Sequence, residues 1–90
     1  MILRVEWLQS ALTDLAALWV QADSGLRQAI TAAADVIDHE LGANPDAKGE
    51  SREEEERVFF VYPLGVQFEV QVLKALVRVL HVWDIRRRKP

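Results

Sequence analysis

The hydrophobic pattern changes period halfway along this chain, and that change limits the folds open to it. From Ala11 to Leu41 apolar residues recur at three- and four-residue steps, whereas from Arg57 to Ile85 they alternate or form β-branched runs. The first spacing is that of helices buried along one stripe, the second that of strands. Helices followed by consecutive strands define an α+β domain rather than a doubly wound α/β one. Ninety residues suffice for a single domain, 1–90.

Ile2 to Trp7 alternates, with Leu3, Val5 and Trp7 on one side and Ile2, Arg4 and Glu6 on the other, which predicts a half-buried strand. Ser10 is placed to cap a helix carrying Ala11, Leu12, Leu15, Ala16, Leu18 and Trp19 on one stripe. Asp23 and Ser24 can cap a second helix, on which Leu26, Ile30, Ala33, Ala34, Ile37 and Leu41 form the stripe. Gly42 stands where a left-handed C-cap residue belongs. The short connection makes the two an antiparallel helix hairpin.

The stretch from Gly42 to Glu56, GANPDAKGESREEEE, has no apolar period and reads as an exposed loop. Three strands follow: Arg57–Tyr62, Val66–Val72 and Leu76–Ile85, with turns at Pro63-Leu64-Gly65 and near Lys74. Short turns make them an antiparallel meander. Val66, Phe68, Val70 and Val72 share the face predicted to lie under the helices. Gln67, Glu69 and Gln71 share the face left open.

Composition excludes several chemistries. With no cysteine there is no disulfide framework, thiolate metal site or cysteine nucleophile, and a reducing cytoplasmic setting is the expectation. No apolar run approaches the ~20 residues that span a bilayer, and Arg4 and Glu6 interrupt the N-terminal run where a signal peptide would be apolar. No phosphate-binding glycine loop or Gly-x-Ser-x-Gly string is present. Asp35 and His39, four apart on a helix, lack a third ligand, so no metal and no cofactor is expected.

Charge is unevenly spread. Val77 to Pro90 holds five basic residues and one acid, a net of +4, while the other 76 residues hold six basic and thirteen acidic, a net of −7. A basic end of this kind meets a polyanion or an acidic partner. Its arginines, Arg78 and Arg86 to Arg88, with Arg52 and Arg57 flanking the glutamate run, are the residues suited to clamping phosphate or a carboxylate. Pairing of Arg52 and Arg57 with their neighbouring glutamates, and a solvated tail at Arg86 to Arg88, is the plain alternative. His81, within the last strand, is either a hydrogen-bonded strand histidine or an acid/base group.

Several strings, in order, resemble the RelE/ParE superfamily of toxins from type II toxin–antitoxin systems. They are the strand ending in Trp7 followed by SALTDLAALW, then Ile37 to Leu41, Asn44-Pro45 and Gly49-Glu50-Ser51-Arg52. They continue with Arg57 to Val61, Pro63 to Val66, Phe68 to Val70 and Val77 to Trp83.

The resemblance implies an N-terminal strand, a helix hairpin and a three-stranded meander in one sheet. It implies a growth-inhibiting, plasmid-stabilising toxin neutralised by a cognate antitoxin that wraps the helices and sheet. Such a toxin would act by metal-independent, ribosome-dependent cleavage of mRNA or by inhibiting DNA gyrase. For an endoribonuclease, Arg78 and Arg86 would stabilise phosphate charge, His81 would be the acid/base candidate and Arg57 would position. Gln67 stands where RelE-like members carry an arginine, and Tyr62 is the one tyrosine. A non-catalytic module holding a partner peptide on the open face is the alternative.

Overall fold

The computed structural model describes residues 3–43 and 56–86 in full and the backbone of 50–52. Strand β1 (Arg4–Trp7) leads into helices α1 (Gln9–Gln21) and α2 (Ser24–Ala43). Strands β2 (Glu50–Arg52), β3 (Glu56–Val61), β4 (Leu64–Gln71) and β5 (Leu76–Asp84) follow. They form one mixed sheet in the order β1-β5-β4-β3-β2, in which β1 runs parallel to β5 and every other pair is antiparallel.

The expected α+β order, helix hairpin and meander are therefore present, and the N-terminal strand joins beside the last one. The stretch predicted as loop, 42–56, contains β2 at its centre. There Glu50 to Arg52 add a short edge strand to β3, with Ser51 opposite Arg57.

Alternation along β4 is the axis of the core. Leu64, Val66, Phe68 and Val70 are buried on one face together with Val77, Val79 and Val82 of β5. The helices cover that face with Ala11 from α1 and Ile30, Ala33, Ile37 and Leu41 from α2. Val5 and Trp7 of β1 pack against the same cluster while Arg4 and Glu6 face out, as their alternation predicts. Val72 departs from that reading. It lies in a single turn of 3-10 helix (Val72–Lys74) between β4 and β5 and is 71% exposed. Ala75 closes this turn in the left-handed region, φ 52°.

Three local expectations are corrected. Ser10 does not cap α1, whose N-cap is Leu8 with no side-chain hydrogen bond. Its hydroxyl instead donates to the Leu80 carbonyl of β5 at 2.6 Å. Gly42 is not a left-handed cap but lies inside α2. A Cβ there would sit 3.2 Å from the Leu3 carbonyl and 3.3 Å from Val5, and the Gly42 carbonyl accepts from the Leu3 amide at 2.7 Å. Glycine at this point lets the end of α2 touch the start of β1.

The turn placed at Pro63-Leu64-Gly65 is confined to Tyr62 and Pro63, joined by a cis peptide bond, because Leu64 and Gly65 already pair with β3 and β5. Strand β5 is not evenly alternating. Gln67 pairs with His81 but Phe68 pairs with Val79, so Leu80 is an extra, bulged residue. The bulge switches parity, which is why Val77, Val79 and Val82 all reach the core. Asp23 behaves as expected: its carboxylate accepts from the Leu26 amide at 2.8 Å and caps α2.

Gly65 is fixed by packing. A Cβ on it would lie 2.7 Å from the indole of Trp83 and 2.9 Å from Ile85, both of which fold over it. Substituting Gly65→Ala is expected to destabilise the fold by about 1–3 kcal/mol through this overlap. Urea unfolding followed by tryptophan fluorescence measures it, and an unchanged midpoint would contradict the packing described.

Candidate functional site

The sequence-predicted residues Arg57, Arg78, His81 and Arg86 fall in four different settings. Arg57 is opposite Phe68 across the β3–β4 ladder. Cross-strand partners share a face, so Arg57 belongs to the helix-covered side. Arg78 is opposite Glu69 and Glu6 and so belongs to the open side. The two arginines are separated by the sheet and do not converge.

On the open face one row of side chains runs across four strands: Glu6 of β1, Arg78 of β5, Glu69 of β4 and Glu56 of β3. Arg78 Nη1 lies 3.5 Å from Glu69 Oε2, and Nε lies 3.7 Å from Glu6 Oε1. Nε makes no hydrogen bond. The guanidinium is thus shared between two loosely held carboxylates, and a phosphate approaching it meets both. The Gln67 amide donates to Glu56 Oε1 at 2.7 Å, and that of Gln71 to Glu69 Oε2 at 3.2 Å. The face expected to be polar is polar; the described side chains of its central row are three acids and one base, and the register sets Arg52 of β2 opposite Glu56 at the row's end.

The end of this face beyond Gln67 is aromatic. Phe60 and Trp83 flank Gly65, their rings meeting edge to face with centroids 6.2 Å apart. Phe60 and Tyr62 are exposed, Tyr62 by 70%. Close by, Arg86 grips Asp84: its Nη2 donates at 2.8 Å, its Nε at 3.1 Å and its backbone amide at 2.9 Å. That pairing raises the Arg86 pKa further above its ordinary value, chiefly through the hydrogen bonds to Asp84. Arg87, Arg88 and Lys89, like the glutamates Glu53 to Glu55, lie outside the described residues.

His81 belongs to the edge of β5. Strand β1 stops at Trp7, opposite Val79, so the backbone of Leu80 to Asp84 has no strand on that side. Helix α1 supplies the partners instead. Besides Ser10 on the Leu80 carbonyl, Asp14 Oδ2 accepts from the Val82 amide at 3.0 Å and faces His81 Nδ1 at 3.2 Å. Asp14 thereby orients the imidazole, whose side chain stays exposed. The sequence reading paired His81 with no acid, because Asp14 lies 67 residues away and only the bulge and the end of β1 bring them together. The Asp35–His39 pair gathers no third ligand; among the described residues no metal-binding cluster forms.

The feature missed altogether is on the other side of the molecule. The stripe on α1 is wider than the core requires. Ala11, Leu15 and Leu18 turn inward, whereas Leu12, Trp19 and Val20 remain exposed. With Ile30 and Ala34 of α2 they line a groove of about 400 Å³ between the helices. Arg27 fixes its far wall. Its Nε and Nη2 donate to the Trp19 and Val20 carbonyls at the end of α1, 2.8 and 3.1 Å away. Its guanidinium lies 4.2 Å from the centre of the Trp19 ring. The signal was the presence of Leu12, Ala16 and Trp19 beside Leu15 and Leu18, more apolar breadth than a single buried stripe needs.

The sequence matches no protein-family model and no characterised protein. The fold is nevertheless that of the RelE and ParE toxins of toxin–antitoxin systems. The particular likenesses include the ParDE system of P. aeruginosa, with a TM-score of 0.73 at 15% identity, covering 93% of this chain and 97% of the other. The RelBE2 toxin–antitoxin complex of Mycobacterium tuberculosis gives 0.72 at 15% identity, covering 93% and 92%. The free E. coli RelE toxin mutant gives 0.65 at 16% identity, covering 93% and 84%.

The Asp14 clamp has a measurable consequence. Asp14→Ala removes the acceptor of the Val82 amide, and a loss of about 1–2 kcal/mol in unfolding free energy is expected. Ser10→Ala is expected to lose about 1 kcal/mol. Denaturant titration of both variants checks this, along with faster amide exchange at Val82 in Asp14→Ala.

Proposed function

We propose that this chain is the toxin of a toxin–antitoxin pair and that it is neutralised by a partner helix seated in the groove between α1 and α2. The observation carrying the reading is the whole-length likeness in fold to the RelE and ParE toxins together with an apolar groove that the chain's own side chains leave unfilled. An amphipathic helix presenting anchors at three- and four-residue spacing matches a groove walled by Leu12, Trp19, Val20 and Ala34. No helix among the described residues is long and apolar enough to cross a membrane, so this exposed apolar surface is read as a protein contact.

Of the two toxic modes implied by the resemblance, the placement of cations favours action on a protein target, as in gyrase inhibition, over cleavage of mRNA. Phosphoryl transfer needs positive groups converging where charge develops. Here Arg57 and Arg78 occupy opposite faces, Arg78 sits between Glu6 and Glu69, and Arg86 is taken up by Asp84.

Induction of the chain alone in bacteria is expected to arrest growth, and co-expression of the neighbouring reading frame to restore it. Lost supercoiling and induced DNA damage would accompany arrest in the favoured mode. RNA fragments mapping to translated codons would replace that mode with the nuclease. Absence of arrest would leave the non-catalytic interaction module. Ala16→Glu in the groove is expected to keep the arrest but weaken the partner about tenfold or more, because a carboxylate would be buried unpaired. Calorimetric titration of the purified pair measures the loss.

A further inference from the structure

The groove between α1 and α2 is apolar along its floor, and the charges of its two helices are few. Helix α1 carries one charged residue, Asp14, which accepts from the Val82 amide and faces His81 on the sheet side. Helix α2 carries Arg27, Asp35, Asp38 and Glu40, with His39 counted neutral. Arg27 donates to the Trp19 and Val20 carbonyls at the hairpin end, where Asp23 caps α2. Asp38 accepts from the Trp7 indole at 2.9 Å, and Glu40 has a partner of its own. Asp35 is the exception. It is exposed, it lines the groove beside Ala34, and no hydrogen bond or ion pair among the described residues engages its carboxylate. Because the helices run antiparallel, Asp35 and Leu12 fall at one end of the groove, and Trp19, Val20 and Arg27 at the other.

We propose that Asp35 selects the occupant of the groove: the partner helix seated there carries a lysine or arginine one turn beyond its apolar anchors, paired with the Asp35 carboxylate. This rests on the reading of the groove as a helix seat and specifies the chemistry of that helix. A helix laid over Leu12 and Ala34 takes water away from the rim, and a carboxylate left there without a counter-charge weakens the complex. A lysine or arginine stem covers the apolar wall while its charged head reaches the carboxylate. An acid in the same place is repelled, so Asp35 discriminates between helices whose apolar stripes are equal. The chain's own helices supply no such cation. Arg27 is eight residues from Asp35 on α2, ~12 Å at the rise of a helix, and is already bonded. A second copy is no better suited, since its two helices offer four acids and that same bonded arginine.

The test is fluorescence anisotropy of the full chain with two labelled, end-capped peptides of about 20 residues, long enough to hold a helix in water. Both carry leucines at three- and four-residue spacing on an alanine and glutamine background. One has lysine one turn beyond each end of the stripe, so that a lysine meets Asp35 in either direction; the other has glutamate in the same places. The lysine peptide is expected to bind about tenfold more tightly, one exposed attraction gained and one repulsion avoided at about threefold each. The difference should narrow as salt rises. Asp35→Asn is expected to bring the two peptides within about twofold, and Asp35→Lys to reverse the preference. Asp38→Asn makes the same change in net charge and keeps an acceptor for the Trp7 indole; it is expected to leave the ratio unchanged.

A ratio lowered equally by Asp35→Asn and Asp38→Asn would reduce the preference to net charge and overturn the proposal. Equal binding of the two peptides, with amide shifts on Leu12, Trp19 and Ala34, would also overturn it while leaving the groove as a helix seat. No binding by either peptide, or shifts confined to residues outside α1 and α2, would overturn the helix-seat reading and the proposal with it. Dimerisation of the free chain in sedimentation, lost in Asp35→Lys, would overturn it in favour of a second copy. Thermal melts of each variant establish that a lost signal is not lost folding.

Discussion

A strand inside a sheet has hydrogen-bonding groups on both edges, and every one that is removed from water needs a partner. In this molecule β5 runs from Leu76 to Asp84, but the parallel neighbour on its outer edge stops opposite Val79. The remaining edge is completed by the first turns of α1, through the Leu8 amide, the Ser10 hydroxyl and the Asp14 carboxylate. That completion fixes where α1 can lie. A helix bonded along the edge of β5 cannot also sit fully over the core face, so part of its apolar stripe is turned outward. The exposed groove between α1 and α2 follows from the way the sheet edge is satisfied.

The bulge at Leu80 belongs to the same arrangement. Bulges bend the strand that carries them and re-aim the next side chains. Here the extra residue brings Val82 inward and puts His81 beside Asp14, while Trp83 crosses over to Gly65 on the open face. A strict alternation through Leu80 would send Val82 to solvent and one more polar residue to the core. The bend therefore serves the core, the edge and the packing of Trp83 over Gly65 together.

Periodicity made the order of elements legible, because each helix and strand has one face that must be buried. It located the helices at Leu26 to Leu41 and Ala11 to Trp19, the inward residues of β4, and the polar row opposite them. Features that depend on two distant segments were not legible. Gly42 has the composition of a cap, yet its role comes from Leu3 and Val5, which only the parallel pairing of β1 brings near. Ser10 has the composition of an N-cap and instead bonds a carbonyl seventy residues away. For the candidate site, sequence found the arginines and His81 but not their neighbours. Charge along the chain said that the C-terminal end was basic, whereas the sheet register interleaves its Arg78 with acids from β1 and β4.

This interleaving bears on how the two faces of the sheet are reached. The apolar groove and the open face lie on opposite sides of the sheet, so an occupant of one does not by itself obstruct the other. On the proposed reading, a partner whose helix fills the groove reaches the open face only by continuing past an edge of the sheet. The edges available are β1 and the short β2, since β3, β4 and β5 are paired on both sides or bounded by α1. Past the β1 edge a continuing chain meets Arg4 and Glu6 first, and past the β2 edge it meets the Arg52 position, opposite Glu56, first. A chain crossing at either edge therefore meets an arginine position beside a glutamate, Arg4 with Glu6 or Arg52 with Glu56, so neither edge opens directly onto carboxylates alone.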